Sequence, residues 1–135
     1  MGGGGFEALS HVYLDTHVAV WLHDGLVGKL TVPAIAAIEE GDLLLSPMVY
    51  LEFSYLYKRG LVRVSASELY TNLSTSFGVI LCRQGFPGIA AAATEVEWTN
   101  DPFDRIIVAQ SQCDPNSRLV TADRVILSNY DRAVW

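Results

Sequence analysis

Cysteine and lysine are nearly missing from this 135-residue chain, with two of each. Cys82 and Cys113 form no CxxC pair and stand in no zinc-like spacing with His11, His17 or His23, which all lie near the N-terminus. Both are read as reduced, buried apolar groups, which sets aside a disulfide scaffold, a zinc module and dithiol redox chemistry. Lys and Arg together number nine against fifteen Asp and Glu, for a formal net charge of −6. That shortage of cations excludes charge-driven coating of nucleic acid, which depends on Lys and Arg displacing counterions. Any nucleic acid must be held locally, and a divalent cation in an acidic pocket would reverse the field there enough to admit a phosphate. No run reaches the roughly 18 apolar residues of a membrane span, and no Lys or Arg precedes Lys29, so the charged start of a secretory signal is also missing. The expected location is cytoplasmic, with no membrane attachment.

Half of the residues are hydrophobic, enough for a sizeable core, and the length fits one domain. Residues 1–10 read as a flexible Gly-rich leader and residues 11–135 as the single folded domain. His11 to Leu14 is a short β-rich run ending at Asp15, and the spacing of Val18, Trp21 and Leu22 predicts a helix over 16–23. A second helix is predicted over 33–40, closed by Gly41. Leu43-Leu44-Leu45 reads as a buried strand, followed by Ser46-Pro47, a capping residue and first-turn proline that open a helix to about Lys58. Further helices are expected over 66–74, over 89–95 after a Pro87-Gly88 break, over 101–112 and over 124–128. Val79-Ile80-Leu81 and Leu119-Val120 supply two more strands. Short apolar strands alternating with helices predict a three-layer α/β/α sandwich with a mostly parallel central sheet of four to five strands. In such sheets ligands bind outside the carboxyl ends of the strands, which is where Asp15 and Asp123 fall.

Four acids stand beside apolar segments where a solvated charge is unexpected: Asp15, Glu52, Asp104 and Asp123. Asp15 and Asp123 have a competing explanation, since an Asp at a helix start accepts backbone N–H groups and meets the positive end of the dipole. The pair Asp101 and Asp104 can likewise be a variant capping box with Asp101 as the cap. Glu52 resists that explanation because it sits in mid-helix, with Met48, Tyr55 and Leu56 on its face and the side chain directed inward. An isolated carboxylate there needs a metal, a cationic partner such as one of the seven Arg, or a raised pKa. Taken jointly, the four form a ring of hard oxygen donors suited to Mg²⁺ or Mn²⁺.

These residues resemble the PIN-domain ribonucleases, most closely the VapC-like toxins of type II toxin–antitoxin systems. The likeness covers nearly the whole chain. It rests on Tyr13-Leu14-Asp15-Thr16-His17, on Leu45-Ser46-Pro47 leading to Leu51-Glu52, on the segment from Asp101-Pro102-Phe103-Asp104-Arg105 to Gln110, and on Leu119-Val120-Thr121-Ala122-Asp123. The resemblance implies a PIN-like domain over 11–135 and an Mg²⁺- or Mn²⁺-dependent ribonuclease. Asp15, Glu52, Asp104 and Asp123 would be its catalytic and metal-binding acids. Asp101, Thr16, Thr121 and Arg105 would support them, Arg105 either through an ion pair or by contacting phosphate. It also implies an RNA substrate, a homodimer and a cognate antitoxin whose peptide covers the acidic pocket. Trp21, Tyr50, Tyr57 and Phe86 are large groups for which packing in the core is one reading and, where one small core does not take them all, contact with such partners the other. The chain departs from the family pattern at Asn100 and at Ser111-Gln112-Cys113, which bears on substrate choice. An aspartate-based phosphatase needs an acid two residues after Asp15, where His17 stands, and a phosphoacceptor receiver domain needs a late lysine that the chain does not have. A catalytically silent PIN-like binding module is the remaining alternative.

Overall fold

Val12-Tyr13-Leu14 and Leu43-Leu44-Leu45 are apolar at successive positions, a pattern that suits a strand covered on both faces rather than a helix with one buried stripe. In the computed structural model, which describes residues 10–135, both triplets are strands and all six side chains are buried. Successive strand residues point to opposite faces, so helices must cover the sheet on both sides, giving the three layers. The leader proposed for residues 1–10 lies, except for Ser10, outside the described residues.

The sheet contains β1 (His11–Leu14), β2 (Asp42–Leu45), β3 (Ile80–Leu81), β4 (Ser117–Val120) and β5 (Ala133–Val134). Their order is β3-β2-β1-β4-β5, and every neighbouring pair is parallel. Seven helices accompany it among the described residues: α1 (Thr16–His23), α2 (Val32–Glu40), α3 (Pro47–Lys58), α4 (Ala66–Phe77), α5 (Phe86–Thr94), α6 (Pro102–Gln112) and α7 (Arg124–Asn129). This is an α/β architecture with an all-parallel central sheet, as expected. The chain builds outward from β1 to β3 on one side, then returns to lay β4 on the other flank of β1. The carboxyl ends of β1 and β4 therefore bracket the point where strand order reverses, the usual place for a crevice in such sheets.

Several boundaries differ from the sequence expectation for physical reasons. Helix α5 begins at Phe86, with Pro87 inside the first turn rather than before the helix; proline is tolerated there because a first-turn N–H has no helical acceptor. Helix α4 extends to Phe77 and stops at Gly78, whose φ of 70° is the left-handed conformation that ends helices. Gly41 is required for another reason: a Cβ there would run into the Val12 side chain, so its missing side chain lets the end of α2 approach β1. Strand β5 was not anticipated, and Cys113 is exposed rather than buried, although Cys82 is buried and both are free thiols.

Helix α3 carries Glu52, and its start is fixed by Ser46, whose buried hydroxyl accepts the Met48 N–H at 3.0 Å while Pro47 occupies the first turn. Ser46→Ala is expected to lower stability by about 1 kcal/mol, the usual value of a lost N-cap, measured by urea unfolding. An unchanged midpoint would show that the cap contributes nothing.

Candidate active site

Asp15 follows directly on β1, where its N–H still pairs with the Val120 carbonyl of β4 at 3.0 Å. This backbone bond sets the carboxylate at the mouth of the crevice. Its Oδ1 accepts the Thr16 N–H at 2.9 Å, and its Oδ2 accepts the Thr121 hydroxyl at 2.6 Å. Thr121 is fully buried, and the same hydroxyl oxygen accepts the Asp123 N–H at 3.0 Å. One hydroxyl thus ties together the acids that follow β1 and β4. Thr16, also buried, donates its hydroxyl to Glu52 Oε1, joining α1 to α3.

A single open cleft of about 290 Å³ is lined by Asp15, Glu52, Asp101, Asp104 and Asp123 together with Thr16, His17, Val18, Trp21 and Ala122. All five acids named from the sequence thus reach one place, although they come from positions up to 108 residues apart (123 − 15). Capping and clustering turn out to be compatible. Asp15, Asp101 and Asp123 are the N-caps of α1, α6 and α7. Asp101 Oδ1 accepts Phe103 N–H at 2.8 Å and Asp104 N–H at 3.3 Å, and Asp123 Oδ1 accepts Val125 N–H at 2.8 Å and Ile126 N–H at 3.1 Å. The expected capping box is only half made, because Asp101 N–H goes to the Thr99 hydroxyl at 3.2 Å instead of to Asp104. Asp104 is left free of that duty and faces the cleft.

Electrostatics make the crowding explicit. Partial burial, followed by the negative charges of Asp101, Asp15, Asp123 and Glu52, pushes the Asp104 carboxyl up to about 7. Burial also raises Glu52, opposed by the Thr16 hydrogen bond and reinforced by Asp15 and Asp101. Asp15 is raised by burial as well, against the lowering effect of the Thr121 and Thr16 hydrogen bonds. Among the described residues no Lys or Arg forms an ion pair; the salt bridges are His11–Asp114 and His23–Asp24. An Arg partner for Glu52 is therefore ruled out, and so is an ion pair for Arg105, whose Nε donates to the Thr99 carbonyl at 2.8 Å. Glu52 also keeps different company from that expected. It lies at the edge of the buried stripe formed by Val49 and Phe53, and its neighbours Leu51 and Tyr55 are about half exposed.

The donor set fits a hard divalent cation. Five carboxylates line the cleft with no Lys, Arg or thiol among them, and their mutual repulsion is what a bound cation would relieve. No three of these side chains are close enough to chelate one ion as they stand among the described residues. Sequence reasoning did not select His17 and Trp21 as cleft residues, although their i, i+4 spacing on the helix after Asp15 was a usable signal.

Fold and cleft together define a doubly wound α/β protein with an acidic site at its switch point. The chain belongs to the PIN domain family, which matches residues 12–132. A solved structure described as a toxin-antitoxin complex from Klebsiella pneumoniae is similar in fold, with a TM-score of 0.61 and 16% identity over 92% of this chain and 96% of that chain. No curated protein matches the chain in sequence.

Proposed function

We propose that this protein is a divalent-metal-dependent endoribonuclease that hydrolyses RNA phosphodiester bonds as the toxin of a toxin–antitoxin pair. PIN domains are typically nucleases and generally use divalent metals. The observation that carries the reading is the convergence of Asp15, Glu52, Asp104 and Asp123 on one cleft that no Lys or Arg lines among the described residues. Those four would hold Mg²⁺ or Mn²⁺, with Asp101 in support. When bound, such an ion offsets charge on the phosphodiester oxygens and activates water.

The protein's own part is positioning. Thr16 and Thr121 fix the Glu52 and Asp15 carboxylates by donating hydroxyl hydrogen bonds, so both acids are oriented before substrate arrives. Without a bound ion the Asp104 carboxyl is pushed up to about 7, so binding of a cation there would displace its proton near neutral pH. Arg105 donates its Nε to the Thr99 carbonyl, and its guanidinium, which forms no ion pair among the described residues, is proposed to face phosphate.

The fold shared with the toxin-antitoxin complex supports a cognate antitoxin as partner. Tyr57 and Phe86 are exposed at 48% and 61%, which supports a homodimer or partner-covered surface; a strict monomer in sedimentation at high concentration would remove the dimer. No described helix is long and apolar enough to cross a membrane, in keeping with the proposed cytoplasmic site. The spacing between carboxylates is the one observation that favours a catalytically silent binding module. Cleavage decides between the two: purified protein is expected to cut RNA with Mg²⁺ or Mn²⁺ and not in a chelator. Full activity in the chelator would overturn the metal reading, and sequencing of RNA ends after brief induction would identify the target.

A further inference from the structure

One wall of the acidic cleft is aromatic. His17 and Trp21 lie one turn apart on α1 and both line the cleft beside Asp15. Their ring centroids are 6.2 Å apart and tilted by 45°. Trp21 is backed by Trp135 at 6.0 Å, and the Lys29 Nζ sits 5.5 Å from the Trp21 ring centroid. Trp21 is thus held in place, whereas His17 is exposed and free to accept a planar partner.

No Lys or Arg lines the cleft, and five carboxylates do. A divalent cation held by those acids would act on the phosphate alone, so a further hold on the nucleotide at this wall has to come from a charge-neutral contact to the base. Stacking of bases on aromatic side chains is such a contact, and it operates on single strands whose bases are already splayed from a duplex. We propose that the His17–Trp21 wall is a nucleobase subsite, on which a base of single-stranded RNA stacks next to the carboxylates. The proposal rests on the nuclease reading and adds to it the residues that hold the substrate.

The test uses the full chain and a fluorescein-labelled single-stranded RNA pool of random sequence. Affinity is measured in the cleavage-deficient Asp15→Asn background, and KM and kcat in the wild-type background. His17→Ala and Trp21→Leu are each expected to weaken binding and raise KM by about 5- to 150-fold, the range that one base–aromatic stack supports, with kcat within about twofold. Trp21→Phe should restore most of the affinity, whereas loss of packing against Trp135 alone would appear as a lower melting temperature without that rescue. An RNA of equal length with abasic sugars throughout should bind wild-type protein as weakly as the variants bind normal RNA. Equal affinity for normal and abasic RNA, or no effect of His17→Ala, would overturn the proposal and leave the wall to a protein partner. The binding arm decides the matter even if no RNA is cut, and absence of cleavage then counts against the nuclease reading alone.

Discussion

Glu52→Gln and Asp15→Asn are each expected to lower the rate of RNA cleavage by at least about 100-fold, the scale on which removal of one preorganised charge-stabilising group acts. Glu52→Gln is the cleaner of the two. Glutamine keeps an oxygen to accept the Thr16 hydroxyl, so the bond between α1 and α3 survives and only the charge is lost. In Asp15→Asn the new amide can place its oxygen toward the Thr16 N–H, but its NH₂ then faces the Thr121 hydroxyl, which at present donates to Oδ2. Thr121 must rotate its proton away and accept a second bond beside the one from Asp123 N–H. That adjustment is local, and circular dichroism should show an unchanged fold. Single-turnover cleavage in Mn²⁺ is the appropriate measurement, because it isolates chemistry from product release. Activity within threefold of wild type for both variants would sink the assignment of these acids.

What the sequence made legible was local. Val12-Tyr13-Leu14 and Leu43-Leu44-Leu45 announce buried strands because every position is apolar, and Ser46-Pro47 and Asp101-Pro102 announce helix starts because cap and first-turn proline are both present. Strand β5 was not legible, since its two residues carry no periodicity and exist as a strand only through pairing of Leu119 with Ala133 and of Val120 with Val134. The acids show the same division. Asp15 and Asp123 sit at ends of recognisable strands, so their meeting at the sheet edge follows from a parallel topology. Glu52 was rightly directed to the cleft by its place in mid-helix, yet the exposure of Leu51 and Tyr55 depends on how α3 is rolled against α6, which no spacing rule encodes. The spacing of His17 and Trp21 puts them on one face of α1, but that this face lines the cleft and is backed by Trp135 at the far end of the chain is a tertiary fact that spacing does not encode. Cys113 was misplaced because burial of a cysteine is a habit of the residue type, whereas its position at the C-cap of α6 puts it outside the packed face.

Asp104→Asn is expected to be more stable than wild type by roughly 2 kcal/mol at pH 8 in a chelator, and scarcely different near pH 4. The sign follows from the proton count. The free carboxyl titrates near 3.8, whereas the folded one is pushed up to about 7 by burial and by Asp101, Asp15, Asp123 and Glu52. Between those values the unfolded chain gives up its proton while the folded chain keeps it, so stability is fully present below about 3.8 and is lost as pH rises through about 7. The interval corresponds to about 4 kcal/mol at 1.36 kcal/mol per pH unit, and solvent screening of a partly exposed carboxyl reduces it to roughly 2. Asparagine carries no charge to repel its neighbours, so the pH slope of the variant should be shallower over the same window. Mg²⁺ should reverse the ranking: at a hundredfold excess over the wild-type dissociation constant it contributes about 2.7 kcal/mol, more than the variant's advantage of roughly 2, and the variant binds the ion far more weakly. Urea unfolding at pH 4 and pH 8, with chelator and with Mg²⁺, reads all four quantities. A variant less stable than wild type at pH 8 without metal would mean that Asp104 is satisfied by a structural partner, and the cleft would then no longer require a cation to relieve it.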